Sequence, residues 1–245
     1  MKKSTIMLLS ALVITMLAML VSILLINSYV KKNIEYGSGN IITKEYLPEN
    51  FQNIDVKGFF EITLKQAPVT KVYVTTDDNF QKYVEVSVKD HTLYLSGKNV
   101  FQPVGCNIVI QCPDIRRITL QGGTSLVVED KISSESLFLS ITGGVRADIS
   151  GDFMNLKTFV SAGSQLKLKG TVINADYDIT AGSVLMAGQM VADSCDVKST
   201  AGSTAEINVL NFLNADVWSG STVRYSGKPE TGKMSVESGG TLAPL

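Results

Sequence analysis

Four carboxylates, Asp176, Asp178, Asp193 and Asp196, are the side chains of this 245-residue chain best placed by type and spacing to do chemistry. Two carboxylates at a defined separation cleave glycosidic bonds, one as general acid and the other as base or nucleophile. Lys167, Lys169 and Lys198 are interspersed among them. Such alternation of sign is also how an exposed β face stays solvated, and these residues fit that plainer reading better. The one histidine, His91, stands in Lys89-Asp90-His91-Thr92 and reads as a turn between two strands. Neither a Ser–His–Asp triad nor a histidine-rich metal site can be assembled around it. The cysteines lack zinc spacing, and the chain carries no phosphate loop, no dinucleotide fingerprint and no calcium-binding nonapeptide. No catalytic, cofactor or metal residue is assigned.

Cys106 and Cys112 flank one apparent strand, Asn107-Ile108-Val109-Ile110-Gln111. Extended, they stand about 20 Å apart, far beyond the roughly 6 Å between Cα atoms that a disulfide needs. With Cys195 on an inward register, all three read as buried free thiols acting as small hydrophobes.

A row of hydroxyls is the candidate contact surface. Thr142, Ser161, Thr180 and Thr200 stand two residues before successive glycines, and Trp218 continues the row as the one tryptophan. Stacked hydroxyls support cross-strand pairing, and they also make a flat polar face open to a glycan or an envelope protein. An outward indole favours a contact at Trp218.

The elements that position these residues come from a repeat. A small residue, a glycine and usually a small polar residue recur around Gly123, Gly144, Gly163, Gly182, Gly202, Gly220 and Gly239, at intervals of 21, 19, 19, 20, 18 and 19 residues. A fixed period near 20 residues is the signature of stacked units. Three residues before the glycine stand Leu120, Ile141, Val160, Ile179, Ser199, Val217 and Val236; three after it stand Leu126, Ala147, Leu166, Leu185, Ala205, Val223 and Leu242. Apolar residues at every second position are the period of a strand with one buried face, not of a helix. Each unit reads as strand, tight corner, strand, with a second corner near Gly151, Gly170, Gly188 and Gly227. The alanine or serine before each corner glycine suggests close stacking there. The expectation is an all-β fold, a β-solenoid in the form of a right-handed parallel β-helix with coils of ~19–20 residues.

Residues 113–245 form the regular repeats and residues 46–112 read as irregular coils or a β cap of the same domain. Residues 31–45 read as a juxtamembrane tether and 1–30 as a signal anchor. Residues 6–26 are almost wholly apolar, close to the roughly 20 residues a transmembrane helix needs. No small-residue cleavage site and no cysteine follows, so an uncleaved anchor is favoured over a cleaved leader or a lipoprotein. The polar β rod then belongs in the periplasm or on the cell surface. A net charge of −1 gives no pull toward nucleic acid.

The small-Gly-Ser corners, the opening Asn50-Phe51-Gln52-Asn53-Ile54-Asp55-Val56-Lys57-Gly58 and the run from Ile108 to Leu120 together resemble the autotransporter-adhesin "head GIN" domain family. The resemblance covers roughly residues 50–230. It implies a β-helical domain in a bacterial envelope, lends some support to adhesion, and brings no catalytic residues. The resulting expectation is a non-enzymatic, membrane-anchored binding or adhesion module. A self-assembling scaffold, with homo-oligomers, and a carbohydrate-active β-helix enzyme are the alternatives.

Overall fold

The structure, a computed structural model, describes residues 3–33, 36–97 and 105–245; within the N-terminal helix the described side chains are those of residues 7 and 11–26. Contacts divide the chain into two units, the N-terminal segment and a β unit running from Gly37 onward.

The N-terminal segment is a 31-residue helix, α1 (Lys3–Asn33), whose described apolar side chains, Leu12, Met19 and Ile23 among them, are exposed. Among the described residues no helix is long and apolar enough to cross a membrane. Part of the apolar run, residues 6 and 8–10, lies outside the described side chains. The transmembrane helix expected over 6–26 is therefore not found among them.

The β unit begins earlier than the sequence suggests. Strand β1 (Ile41–Tyr46), expected within the tether, pairs antiparallel with β4 (Lys71–Asp77). Between them lie β2 (Asn53–Lys57) and β3 (Glu61–Gln66); after them come β5 (Val84–Lys89), β6 (Thr92–Gly97), β7 (Asn107–Cys112), β8 (Arg117–Gln121) and β9 (Ser125–Val128). Their spatial order departs from chain order. On the face that precedes each corner β2 lies between β6 and β8, and on the face that follows it β3 lies between β7 and β9, all in parallel register. Two antiparallel strands close this end, β5 against β6 and β4 against β7. They cover the stack edge that parallel coils leave unpaired.

From there chain order and space agree. Strands β10 (Ile132–Thr142), β11 (Arg146–Ser161), β12 (Gln165–Ile179), β13 (Val184–Ser199) and β14 (Thr204–Val217) each pair in parallel with the next. The strands β15 (Thr222–Ser226), β16 (Glu230–Val236) and β17 (Thr241–Pro244) complete a β-solenoid of about 7 turns. Each long strand wraps two faces: Arg146 to Asp148 pair with β9, whereas Gly151 to Ser161 pair with β10. The inward rows are those the alternation marks except in the last coil, where Val236 is exposed and Leu242 only half-buried. Ile141, Val160, Ile179 and Val217 on one face, and Leu166, Leu185, Ala205 and Val223 on the other, are fully buried. Burying each leucine or isoleucine contributes roughly 1.5–3 kcal/mol, which no single coil could gain alone.

Candidate functional site

The corners hold the faces in register. Ala162, Ala181, Ala201 and Ser219 have φ of +53 to +54°, and the glycine after each has φ of +68 to +71°. Two successive left-handed residues turn the chain within two positions. The non-glycine member costs roughly 1–2 kcal/mol, offset by backbone bonds that run corner to corner: Gly163 N–H to Ala181 O at 3.1 Å, Gly182 N–H to Ala201 O at 3.0 Å. These bonds stack the corners directly on one another, yet a Cβ added at Gly163, Gly182, Gly202 or Gly220 would meet nothing within 4 Å. Glycine is required for its φ. Crowding belongs instead to the second bend, where a Cβ on Gly170 would stand 1.9 Å from the Gly151 carbonyl oxygen.

The hydroxyl row sits beside these corners, and its members satisfy one another. Thr142 and Ser161 hydroxyls are 2.9 Å apart, and Thr200 donates to Thr180 at 2.8 Å. Ser161 and Thr200 are buried, Thr142 and Thr180 half-buried. The row is a spine between coils more than an open face. Trp218 stands at its end, 40% exposed. The sequence reading passed over a second, deeper row one residue after each glycine: Ser164, Ser183, Ser203 and Ser221, all buried. Ser164 Oγ accepts from Val145 N–H at 3.3 Å, and Ser221 Oγ accepts from Ser203 N–H at 3.2 Å. The signal was present, since serine follows the glycine in four consecutive copies.

Open polar surface lies farther from the corner, on the outward side of the face that precedes it. Two depressions of about 260 and 430 Å³ share Asp176 and Asp196 and so form one lateral trough. Parallel register places like positions of successive coils side by side, which lines up Phe138, Lys157, Asp176, Asp196 and Asn214. Lys157 Nζ pairs with Asp176 Oδ2 at 2.6 Å, and this bond raises the lysine above its ordinary pKa. Asp196 accepts from Asn214 Nδ2, and Asn214 Oδ1 accepts from the Lys233 backbone N–H at 2.8 Å. The neighbouring column carries Asn174 Nδ2 donating to Asn155 Oδ1 at 3.0 Å, and Asn155 Nδ2 donating to Ser136 Oγ at 3.3 Å.

Of the four carboxylates singled out in the sequence, Asp176 and Asp196 thus meet as register partners, and Asp178 sits beside Lys198. Asp193 does not line the trough and instead accepts from Asn211. Among the described residues no group of three or more His, Cys, Asp or Glu side chains is arranged to hold a metal ion. His91 lies between β5 and β6 with φ of +54°, the turn residue its sequence context predicted. All three cysteines are free and buried. Burial pushes the Cys106 thiol up to about 11 and the Cys112 thiol up to about 12, and raises Cys195 further.

Fold and trough define a β-solenoid repeat domain with a polar depression along one side. The chain belongs to the family described as "Putative auto-transporter adhesin, head GIN domain", whose profile matches residues 50–229. Its fold is shared with a crystal structure of a putative adhesin from Bacteroides fragilis, at TM-score 0.81 and 22% identity over 85% of this chain and 99% of that one. A putative lipid binding protein from Parabacteroides distasonis aligns at TM-score 0.69 and 16% identity over 85% of this chain and 98% of that one. A putative adhesin from Parabacteroides merdae aligns at TM-score 0.65 and 18% identity over 87% and 99%. No curated protein matches this chain.

Proposed function

We propose that this protein is a non-enzymatic, adhesion-like binding module of the bacterial envelope, held at a membrane by its N-terminal helix and meeting its partner along the side of the solenoid. The observation that carries the reading is the lateral trough. Several of its polar groups are spent on one another, as in the Lys157–Asp176 and Asn214–Asp196 pairs, which leaves an ordered surface with no poised nucleophile. Membership in an adhesin-like family favours an envelope location. The apolar run over 6–26, close to spanning length, favours anchoring, and only residues 34–40 separate α1 from β1.

Two measurements test this. The full chain, expressed in a bacterial host, is expected in the membrane fraction after alkaline carbonate washing, with its β unit digested by protease only when added from outside the cytoplasm. Recovery in the cytoplasmic fraction would remove the anchor from the reading. Cells displaying the chain are expected to retain envelope or host-surface material that cells lacking it do not; equal retention would remove the adhesion.

A further inference from the structure

We infer that the lateral trough takes a neutral linear glycan lying parallel to the solenoid axis, one sugar to each rung. This deepens the binding reading above and rests on it. Three observations on the trough select the ligand.

Its groups recur at the rung spacing. From Ser136 through Asn155 and Asn174, and from Lys157 through Asp176, Asp196 and Asn214, one polar side chain follows another on successive strands. Parallel strands lie about 4.8 Å apart, close to the rise of one sugar in an extended 1,4-linked chain. An extended peptide advances about 3.3 Å per residue and falls out of step with the rungs.

The charges are of both signs, with Asp176 and Asp196 adjacent and lysines on either side. Lys157, Asp176, Asp196, Lys198, Asp216 and Lys233 place positive and negative groups along the same trough. A polyanion or polycation would meet a like charge about as often as an opposite one, and like-charge juxtaposition opposes binding. A sugar hydroxyl donates to a carboxylate and accepts from an ammonium or amide with equal ease.

Part of the bonding capacity is unspent. Lys198, Asp216 and the Lys233 ammonium make no ion pair or hydrogen bond with the described residues. In the Asn155 and Asn174 pair, the outer carbonyl oxygen of Asn174 is left over after the amide chain is counted. At the other end Phe138 offers an apolar floor, one ring face of which is held by Arg117 at 4.5 Å.

The test uses the full chain in detergent micelles, titrated calorimetrically with linear hexasaccharides of β1,4-glucan, β1,4-xylan and β1,4-mannan, and with polygalacturonate and heparin. At least one neutral hexasaccharide is expected to bind, with little dependence on salt. Asp196→Ala and Asn174→Ala should each weaken it tenfold or more while the far-ultraviolet circular dichroism stays unchanged. Lys167→Ala, on the opposite face, should leave it within twofold. No binding by any neutral hexasaccharide, binding confined to the acidic polymers, or neutral binding indifferent to Asp196→Ala and Asn174→Ala would each overturn the inference. In those cases, retention of envelope material by cells displaying the same variants separates the outcomes. Retention would leave the binding module standing with its site elsewhere, and loss of retention from the parent chain would remove both.

Discussion

From β10 to β14 each strand lies against the next strand in the chain, whereas at the other end β2 is enclosed by β6 and β8, and β3 by β7 and β9. The regular coils need only a neighbour some 20 residues away, so their stacking can propagate one unit at a time. The N-terminal coils need partners 39 to 64 residues apart, since Val56 pairs with both Leu95 and Leu120 and Glu61 with Ser125. Such closures are slower to form. In return this end acquires antiparallel strands that cover its edge. Repetition supplies length and a uniform lateral face; departure from it supplies an end.

The largest effect expected from breaking this contrast is at Gly170, where φ is +124° and an added Cβ would meet the Gly151 carbonyl at 1.9 Å. Gly170→Val should leave the chain unfolded or lower its stability by about 4 kcal/mol or more. A thermal melt close to that of the parent would show that the coils give way more easily than their register implies. Core truncation should divide the regions next. Leu168 is fully buried among regular coils, and Leu168→Ala should cost about 2–5 kcal/mol. Val86, half-buried on capping strand β5, should cost less than half as much when truncated. Equal losses by denaturant titration would erase the distinction.

Alkaline pH probes both regions at once. The Cys106 thiol is raised from 9.0 to about 11 and Cys112 to about 12, both chiefly by burial. A thiol held protonated by the fold contributes stability that is complete below its unfolded pKa and is lost as pH rises through the folded one. Stability should therefore fall from about pH 9 onward. Cys106 and Cys112, near the capped end, should take up a thiol label before Cys195 does. Simultaneous labelling would mean that the two regions open as one. At a corner, Gly163→Ala meets no atom but keeps a φ of +71°, so a loss of only about 1–2 kcal/mol is expected. The smallest effect is at Tyr177, whose buried hydroxyl has no partner and whose pKa is raised by burial. Tyr177→Phe should be neutral or raise the melting temperature slightly; a drop would reveal a hidden partner for that hydroxyl.

Much of this was legible in the chain. Glycine at a near-constant interval could only mean stacked coils, and alternation named the buried rows, Cys195 included, up to the last coil, where Val236 is exposed for want of a following coil to cover it. The reading faltered where a residue's environment depends on a neighbour outside its own strand. Ser161 and Thr200 are outward by alternation, yet the corner beside them and the next coil's hydroxyl bury them. Residues 41–45 alternate weakly, and nothing local says that a partner 30 residues later will pair with them.

By itself, then, the sequence determined the β-solenoid, its corner glycines, its inward rows and its free thiols, because backbone angles and side-chain alternation are local properties. The tertiary structure alone decided that β2 and β3 sit inside later strands and that antiparallel strands cap the stack. It also decided that Asp176 and Asp196 meet in one trough while Asp193 stays outside it. Alternation fixes which side of a strand faces the core, but a five- or six-residue strand carries almost no information about which strand will lie beside it. That choice belongs to the packing of the whole stack.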